Sequence, residues 1–305
     1  MKPQPKTSAS WSIRELAAVA RPRQWTKSSV CLAALIFSGQ LVDPVSRRRA
    51  LLGFVVFCLA SSASYVLNDV RDRHLDAAHP FKRARPIAAG RLSAGAAVIE
   101  AVALAAVAAA LSIALSGRFR VVLGAFAAVQ LLYTFLLKTV PIVDVMAIAL
   151  GFVLRVQSGI EAIDAPQSAW ILLCMFFMAL FLGFGKRRGE LTLAGARDLG
   201  AQRPVLTAYS LTYLDVGLAL SATTALVCYS LYAVTVQRNE TFLVTVLPVA
   251  FGILRYMMLV VIQTRGEGPD EALVRDGPIV ATVAVWTLLC IAVLYFGLQL
   301  FPATR

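Results

Sequence analysis

Long apolar stretches separated by short polar ones set the pattern of this chain. Nine such stretches fall near residues 28–42, 50–67, 94–115, 119–137, 140–160, 168–185, 211–235, 241–262 and 279–300. Most approach the roughly 20 residues that a helix needs to cross the hydrocarbon of a bilayer. Several are rich in alanine, valine and leucine, as packed bundle helices can be. The pattern predicts an all-α polytopic membrane protein with about nine transmembrane helices in one bundle. The fourth and fifth stretches are divided by very little polar chain, at Lys138–Pro141, and Pro141 is the natural break.

Residues 1–10 are polar and the first long apolar run starts near Ser28, so no cleavable signal peptide is expected. The division expected is a cytoplasmic segment, 1–27, carrying an interfacial helix, followed by a transmembrane domain, 28–305. Ser12 and Glu15 have the spacing of a capping box for that helix. Then comes Arg21-Pro22-Arg23-Gln24-Trp25-Thr26-Lys27, in which Trp25 suits an interfacial belt and the cations suit positive-inside flanking. Two long charged loops, 68–93 and 186–210, follow the second and sixth stretches. Their four-span separation hints at a degenerate internal duplication. A shorter polar loop, 263–278, falls on the same side.

Composition removes the soluble classes. Of 305 residues 59% are hydrophobic and 15% charged, with mean hydropathy +0.74; a soluble domain of this length would not hide so much apolar surface. The formal net charge of +12 therefore belongs to cytoplasmic loops and anionic phosphates rather than to nucleic acid. With the N-terminus in the cytoplasm, 20 Lys and Arg lie on the cytoplasmic side and seven on the other, with Arg155 and Arg255 inside spans. Arg47, Arg48 and Arg49 dissent. Cys31, Cys58, Cys174, Cys228 and Cys290 lack metal-ligand spacing and read as small buried hydrophobes.

Chemistry concentrates in the charged loops. Asn68-Asp69-Val70-Arg71-Asp72-Arg73-His74-Leu75-Asp76 places carboxylates at i, i+3 and i+7. On a helix these lie within roughly 60° of one another, so one face presents three hard oxygen ligands at a membrane surface. That suits a divalent cation holding a phosphate or diphosphate. The bland alternative is a solvated helix start. The following Pro80-Phe81-Lys82-Arg83-Ala84-Arg85-Pro86 would bend back, so that Lys82, Arg83 and Arg85 meet phosphate oxygens. His74 and His79 read as solvated loop histidines. In Lys186-Arg187-Arg188-Gly189-Glu190, Lys186 and Glu190 are spaced to pair on one helix face. Lys186 and Arg187 are phosphate candidates, and Glu190 a candidate for a second metal ion. Tyr133, Lys138 and Asp144 bracket the junction of spans four and five, where Lys138 would bind phosphate and Asp144 orient it or a sugar hydroxyl. Arg155 lies about 16 Å deeper on the same face, where an arginine is functional or paired, with Glu161 the partner considered. Arg255 is similar, or snorkels to the rim.

Asn68-Asp69-x-x-Asp72-x-x-x-Asp76 after the second span resembles the first aspartate-rich motif of the UbiA superfamily of intramembrane prenyltransferases. The resemblance extends to nine spans, long loops after spans two and six, and Leu154-Arg155 in the fifth span. It implies Mg2+ on these aspartates, holding a diphosphate in a cytoplasm-facing cavity with a lipid-accessible portal. Where such proteins carry a second acidic motif, this chain has the basic Lys186–Arg188. With the Arg21–Lys27 run and His79-Pro80-x-Lys82-Arg83-x-Arg85-Pro86-Ile87-Ala88-Ala89-Gly90, it looks like the decaprenyl-phosphate phosphoribosyltransferase branch. That likeness implies a soluble donor, 5-phosphoribosyl 1-diphosphate, and a polyprenyl phosphate nucleophile. Asp69, Asp72 and Asp76 would be catalytic and metal-binding, with Asn68 a further ligand or supporting hydrogen bond. Lys82, Arg83, Arg85, Lys186 and Arg187 would share the phosphates, and Lys27 and Gln24 would line the rim. The product would lead to lipid-linked arabinose for cell-wall or nodulation-signal glycosylation, made at a bacterial inner membrane, with a homo-oligomer among the arrangements considered.

Two rival readings differ in observable ways. An aromatic prenyltransferase needs acids after span six, which the basic run replaces. The second rival is a transporter or a non-catalytic lipid-binding protein; transporters place charge within broken spans at mid-membrane, whereas charge here gathers in loops.

Overall fold

The computed structural model describes residues 12–78, 82–202, 204–237, 240–262 and 275–300, with backbone alone for 194–204. His79, Pro80 and most of the loop 263–278 lie outside them. The helices are α1 (Ile13–Ala20), α2 (Ala33–Phe37), α3 (Pro44–Ala78), α4 (Ala94–Ser112), α5 (Gly117–Phe135), α6 (Val143–Ala162), α7 (Ala169–Gln202), α8 (Leu211–Thr235), α9 (Val246–Val261) and α10 (Gly277–Tyr295). Among the described residues there is no strand. Eight helices among the described residues are long and apolar enough to cross a membrane, and they correspond to the second to ninth predicted stretches.

The first stretch takes a different form. Pro22–Leu32 winds as a 3-10 helix and passes into the five-residue α2. At about 2.0 Å per residue for the first part and 1.5 Å for the second, the run extends about 30 Å. Its start pairs with Asp69 through Arg21, and its end meets the last helix, where Leu35 and Ile36 carbonyls accept from Tyr295 Oη. Gly159 of α6 makes this course possible. A Cβ there would stand 1.9 Å from the Cys31 carbonyl oxygen, so only glycine lets the two backbones meet.

Helices α3 and α6 are central, and their apolar windows are 56% buried; those of α4, α5 and α10 fall to 17–22%, as lipid-facing helices should. Phe57, Phe119 and Phe126 pack between α3, α5 and α6, with ring centroids 5.8 and 5.0 Å from Phe57. Val145, Phe181, Phe184, Leu214, Leu218 and Ile253 fill the second half of the bundle. Ser93, Ser116, Ser210 and Asp276 cap their helices by accepting from backbone N–H groups. Ser12 makes no such side-chain bond. Glu15 instead accepts from Arg91 at 3.0 Å, so the expected capping box is replaced by an ion pair that ties α1 to the start of α4.

α3 and α7 are 35 and 34 residues long, about 50 Å each, so they overrun a hydrocarbon layer of about 30 Å. The stretch expected to begin a loop at 186 therefore continues as helix through Gln202. Both charged motifs ride on the overrunning ends of helices four spans apart.

Gly159→Ala should destabilise the protein by roughly 1–3 kcal/mol through overpacking against Cys31. Thermal unfolding in detergent would register this as a lowered melting temperature, and an unchanged one would remove the tight contact from the fold.

Candidate functional site

The polar ends of α3, α5, α6 and α7 converge. Asp69, Asp72 and Asp76 share the predicted face of α3, and Asp69 and Asp76 are buried. Each carboxylate already has a cation. Arg21 grips both oxygens of Asp69 at 2.5 and 2.7 Å. Arg85 Nη1 donates to Asp69 at 3.0 Å and to Asp76 at 2.6 Å. Lys138 Nζ donates to Asp72 at 2.5 Å and to Asn68 Oδ1 at 3.2 Å, while Asn68 Nδ2 donates to Asp72 at 3.1 Å. Charge-assisted bonds of this length are strong, and the cations also relieve repulsion among three like charges.

The second group stands across from it. Asp144, in the first turn of α6, is fully buried. Its oxygens accept from Arg187 Nε at 2.6 Å and Tyr209 Oη at 2.7 Å. Arg187 Nη1 reaches Glu190 at 2.7 Å, an i,i+3 pair on α7. Glu190, spaced in the sequence to pair with Lys186, accepts from Arg187. Tyr209 lies in the link before α8. Burial first, then the Asp144 carboxylate, raises its pKa and keeps the phenol protonated as a donor.

Other sequence candidates are scattered around these two groups. Gln24 and Lys27 are half-buried on the 3-10 run, Lys82 is half-buried and Arg83 exposed on a short turn, and Tyr133 and Lys186 are half-buried near the helix ends. Arg155 is deeply buried, but Glu161 is not its partner. Arg155 donates to the Gly151 carbonyl at 3.1 Å and Ser61 Oγ at 3.0 Å, and lies 4.7 and 5.3 Å from the Phe126 and Phe152 ring centroids. Glu161 accepts from Gln157. Arg255 does not snorkel alone: it pairs with Asp276 at 2.8 Å. Arg21 and Arg188, given no individual role by the sequence, both have carboxylate partners. Arg188 bonds Asp215 at 2.5 Å and the Val260 carbonyl at 2.8 Å, locking α7 to α8 and α9.

Among the described residues, no group of three His, Cys, Asp or Glu side chains is gathered closely enough to hold a metal ion. The donor set on α3 nonetheless fits Mg2+ in kind, being hard carboxylate oxygens on one helix face. Its members are turned toward Arg21, Arg85 and Lys138, so a metal would displace cations rather than enter a preformed cage.

Fold and site together define a multi-pass intramembrane helical bundle with its ionic machinery at one end. The chain belongs to the UbiA prenyltransferase family, which it matches over residues 28–274. It is 37% identical to a decaprenyl-phosphate phosphoribosyltransferase of Mycolicibacterium smegmatis, over 93% of this chain and 94% of that protein. It is 28% identical to the nodulation protein NoeC of Azorhizobium caulinodans, over 64% of each. A solved UbiA homolog from Archaeoglobus fulgidus, bound to GPP and Mg2+, superposes with TM-score 0.73 at 19% identity, covering 92% of this chain and 99% of that one.

Arg187→Met should cost roughly 3–5 kcal/mol, because it strands the buried Asp144 carboxylate. Arg187→Met with Asp144→Leu should recover much of that loss in a thermal-unfolding series. Additive losses would show the pair to be energetically uncoupled.

Proposed function

We propose that this protein transfers 5-phosphoribosyl from 5-phosphoribosyl 1-diphosphate to a polyprenyl phosphate and releases diphosphate. The observation that carries the reading is the charge arrangement at the polar helix ends: one acidic face on α3, and a basic rather than acidic run on α7. The donor brings a diphosphate and a separate 5-phosphate, and the acceptor brings a third phosphate group. Such a substrate pair needs one metal-holding patch and several cations. The near full-length likeness to a decaprenyl-phosphate phosphoribosyltransferase supports it.

Asp69, Asp72 and Asp76, with Asn68 beside them, are the residues that would hold Mg2+. The ion, when bound, supplies positive charge against the departing diphosphate. Arg21, Arg85 and Lys138 are between 15 and 27% exposed, so they can exchange a carboxylate for a phosphate oxygen. Lys82, Arg83 and Lys186 add charge on the flanking segments, with Gln24 and Lys27 at the rim. Arg187, 1% exposed between Asp144 and Glu190, holds the framework. Tyr133 stands near the helix ends beside Arg187, and Arg155 lies buried deeper in the bundle.

An acceptor phosphate oxygen forms the new bond to ribose C1 as the bond from C1 to the diphosphate oxygen breaks. Positive charge develops on the ribose ring, as in glycoside cleavage. The acceptor phosphate is already ionised at neutral pH, so no general base is needed. Positioning and electrostatics carry the rate. The charged end faces the cytoplasm of a bacterial inner membrane in this reading, consistent with the positive-inside count. The product suits a pathway to lipid-linked arabinose, for cell-wall or nodulation-signal glycosylation.

Membranes containing the protein should move label from radiolabelled 5-phosphoribosyl 1-diphosphate into the lipid phase, given polyprenyl phosphate and Mg2+. Consumption of a prenyl diphosphate with no label in lipid would instead support an aromatic prenyltransferase. Asp72→Ala should abolish the Mg2+-dependent transfer in a folded protein. Lys186→Ala should raise the donor KM roughly tenfold or more through loss of a charge-assisted bond, and an unchanged KM would return Lys186 to a purely topological role.

A further inference from the structure

Pro141, Ile142 and Val143 form a three-residue turn, closed by the Val143 N–H donating to the Pro141 carbonyl at 2.8 Å. Ile142 stands at φ 69°, ψ −49°, the strained, positive-φ form of the γ-turn. For a β-branched residue this backbone is a genuine outlier, and such strain persists only where surroundings enforce it. Packing of the Ile142 side chain does not enforce it, since the residue is 43% exposed. Tyr209 does. Its Oη accepts from the Ile142 N–H at 2.6 Å and donates to Asp144 Oδ1 at 2.7 Å. Asp144 is held in turn by Arg187.

Val140 alone separates the turn from the 3-10 segment Leu137–Thr139, which carries Lys138 to Asp72 and Asn68. The strained link therefore sets where Lys138 stands over the acidic face. We infer that Tyr209 is a positioning residue for the transfer reaction: by clamping the Ile142 turn it holds Lys138 in register with Asp72. It also joins the Arg187–Glu190 arm to the aspartate arm through one phenol. The catalytic consequence rests on the function proposed above, whereas the clamp itself does not.

Two readouts separate them. Hydrogen–deuterium exchange on the whole protein, without substrate, should show faster exchange across 137–146 in Tyr209→Phe, by roughly tenfold or more for the released amide, with other segments unchanged. In transfer assays the same variant should lose roughly tenfold to a hundredfold in kcat, with donor KM within about twofold, and its melting temperature should fall by only a few degrees as the buried Asp144 oxygen loses one partner and keeps Arg187. Glycine adopts positive φ freely, so Ile142→Gly in the Tyr209→Phe background should restore most of the lost kcat. Ile142→Gly alone should keep at least about half of wild-type turnover. On a Lys138→Ala background, Tyr209→Phe should add little further loss. Wild-type kcat and exchange in Tyr209→Phe would overturn the inference, as would a loss that Ile142→Gly leaves in place. Collapse of turnover in Ile142→Gly alone would do the same, even if Tyr209→Phe failed to fold. An exchange response in a protein whose wild type transfers no phosphoribosyl group would sink the proposed function and leave the clamp standing.

Discussion

The ion pair between Asp144 and Arg187 is the contact on which the charged end depends. Both side chains are almost wholly removed from water. Each charge there is tolerable only because the other neutralises it and further bonds satisfy most of its remaining atoms, Arg187 Nη2 excepted. Asp144 spends its second oxygen on Tyr209, and Arg187 extends to Glu190. From that centre the polar network reaches the strained link at Ile142, then Lys138, then Asp72 on α3. Arg85 and Arg21 complete it on Asp76 and Asp69. The two halves of the bundle pack apolar cores of their own, and this chain of polar contacts is what sets their charged ends against one another.

Much of this was legible in the chain. Segment length and hydropathy located eight long helices, because a membrane-spanning helix needs little beyond a continuous apolar run. The i, i+3, i+7 spacing placed three aspartates on one face, because helical periodicity is local. Pro141 marked the α5–α6 break. The first stretch resisted. Its 3-10 winding depends on Arg21 reaching Asp69 and on Gly159 admitting the Cys31 carbonyl, contacts that sequence spacing does not encode. Glu161 was a poor partner for Arg155 on geometry alone, since six residues along a helix point about 120° apart. Arg21, Arg188 and Tyr209 carried no local signal: the first two resemble topology charges, and the third a membrane-interface aromatic. Their partners lie 48, 27 and 65 residues away.

Exposure divides the cations by what they can do. Arg187 is enclosed and has two carboxylates, so moving it would strand a buried charge, and it belongs to the scaffold. Arg21, Arg85 and Lys138 keep contact with water. Water reaches the cation side of these pairs, while Asp69 and Asp76 themselves are buried. Cations open to water on one side can change partners, as the proposed reaction would require. Three carboxylates on one helix face would repel one another if left alone, and three cations hold them in place at no net charge. A divalent ion arriving with a diphosphate would relieve the carboxylates and free the same three cations for phosphate oxygens. Without ligand the three carboxylates and three cations sum to zero, so that state leaves no uncompensated ion at the membrane boundary.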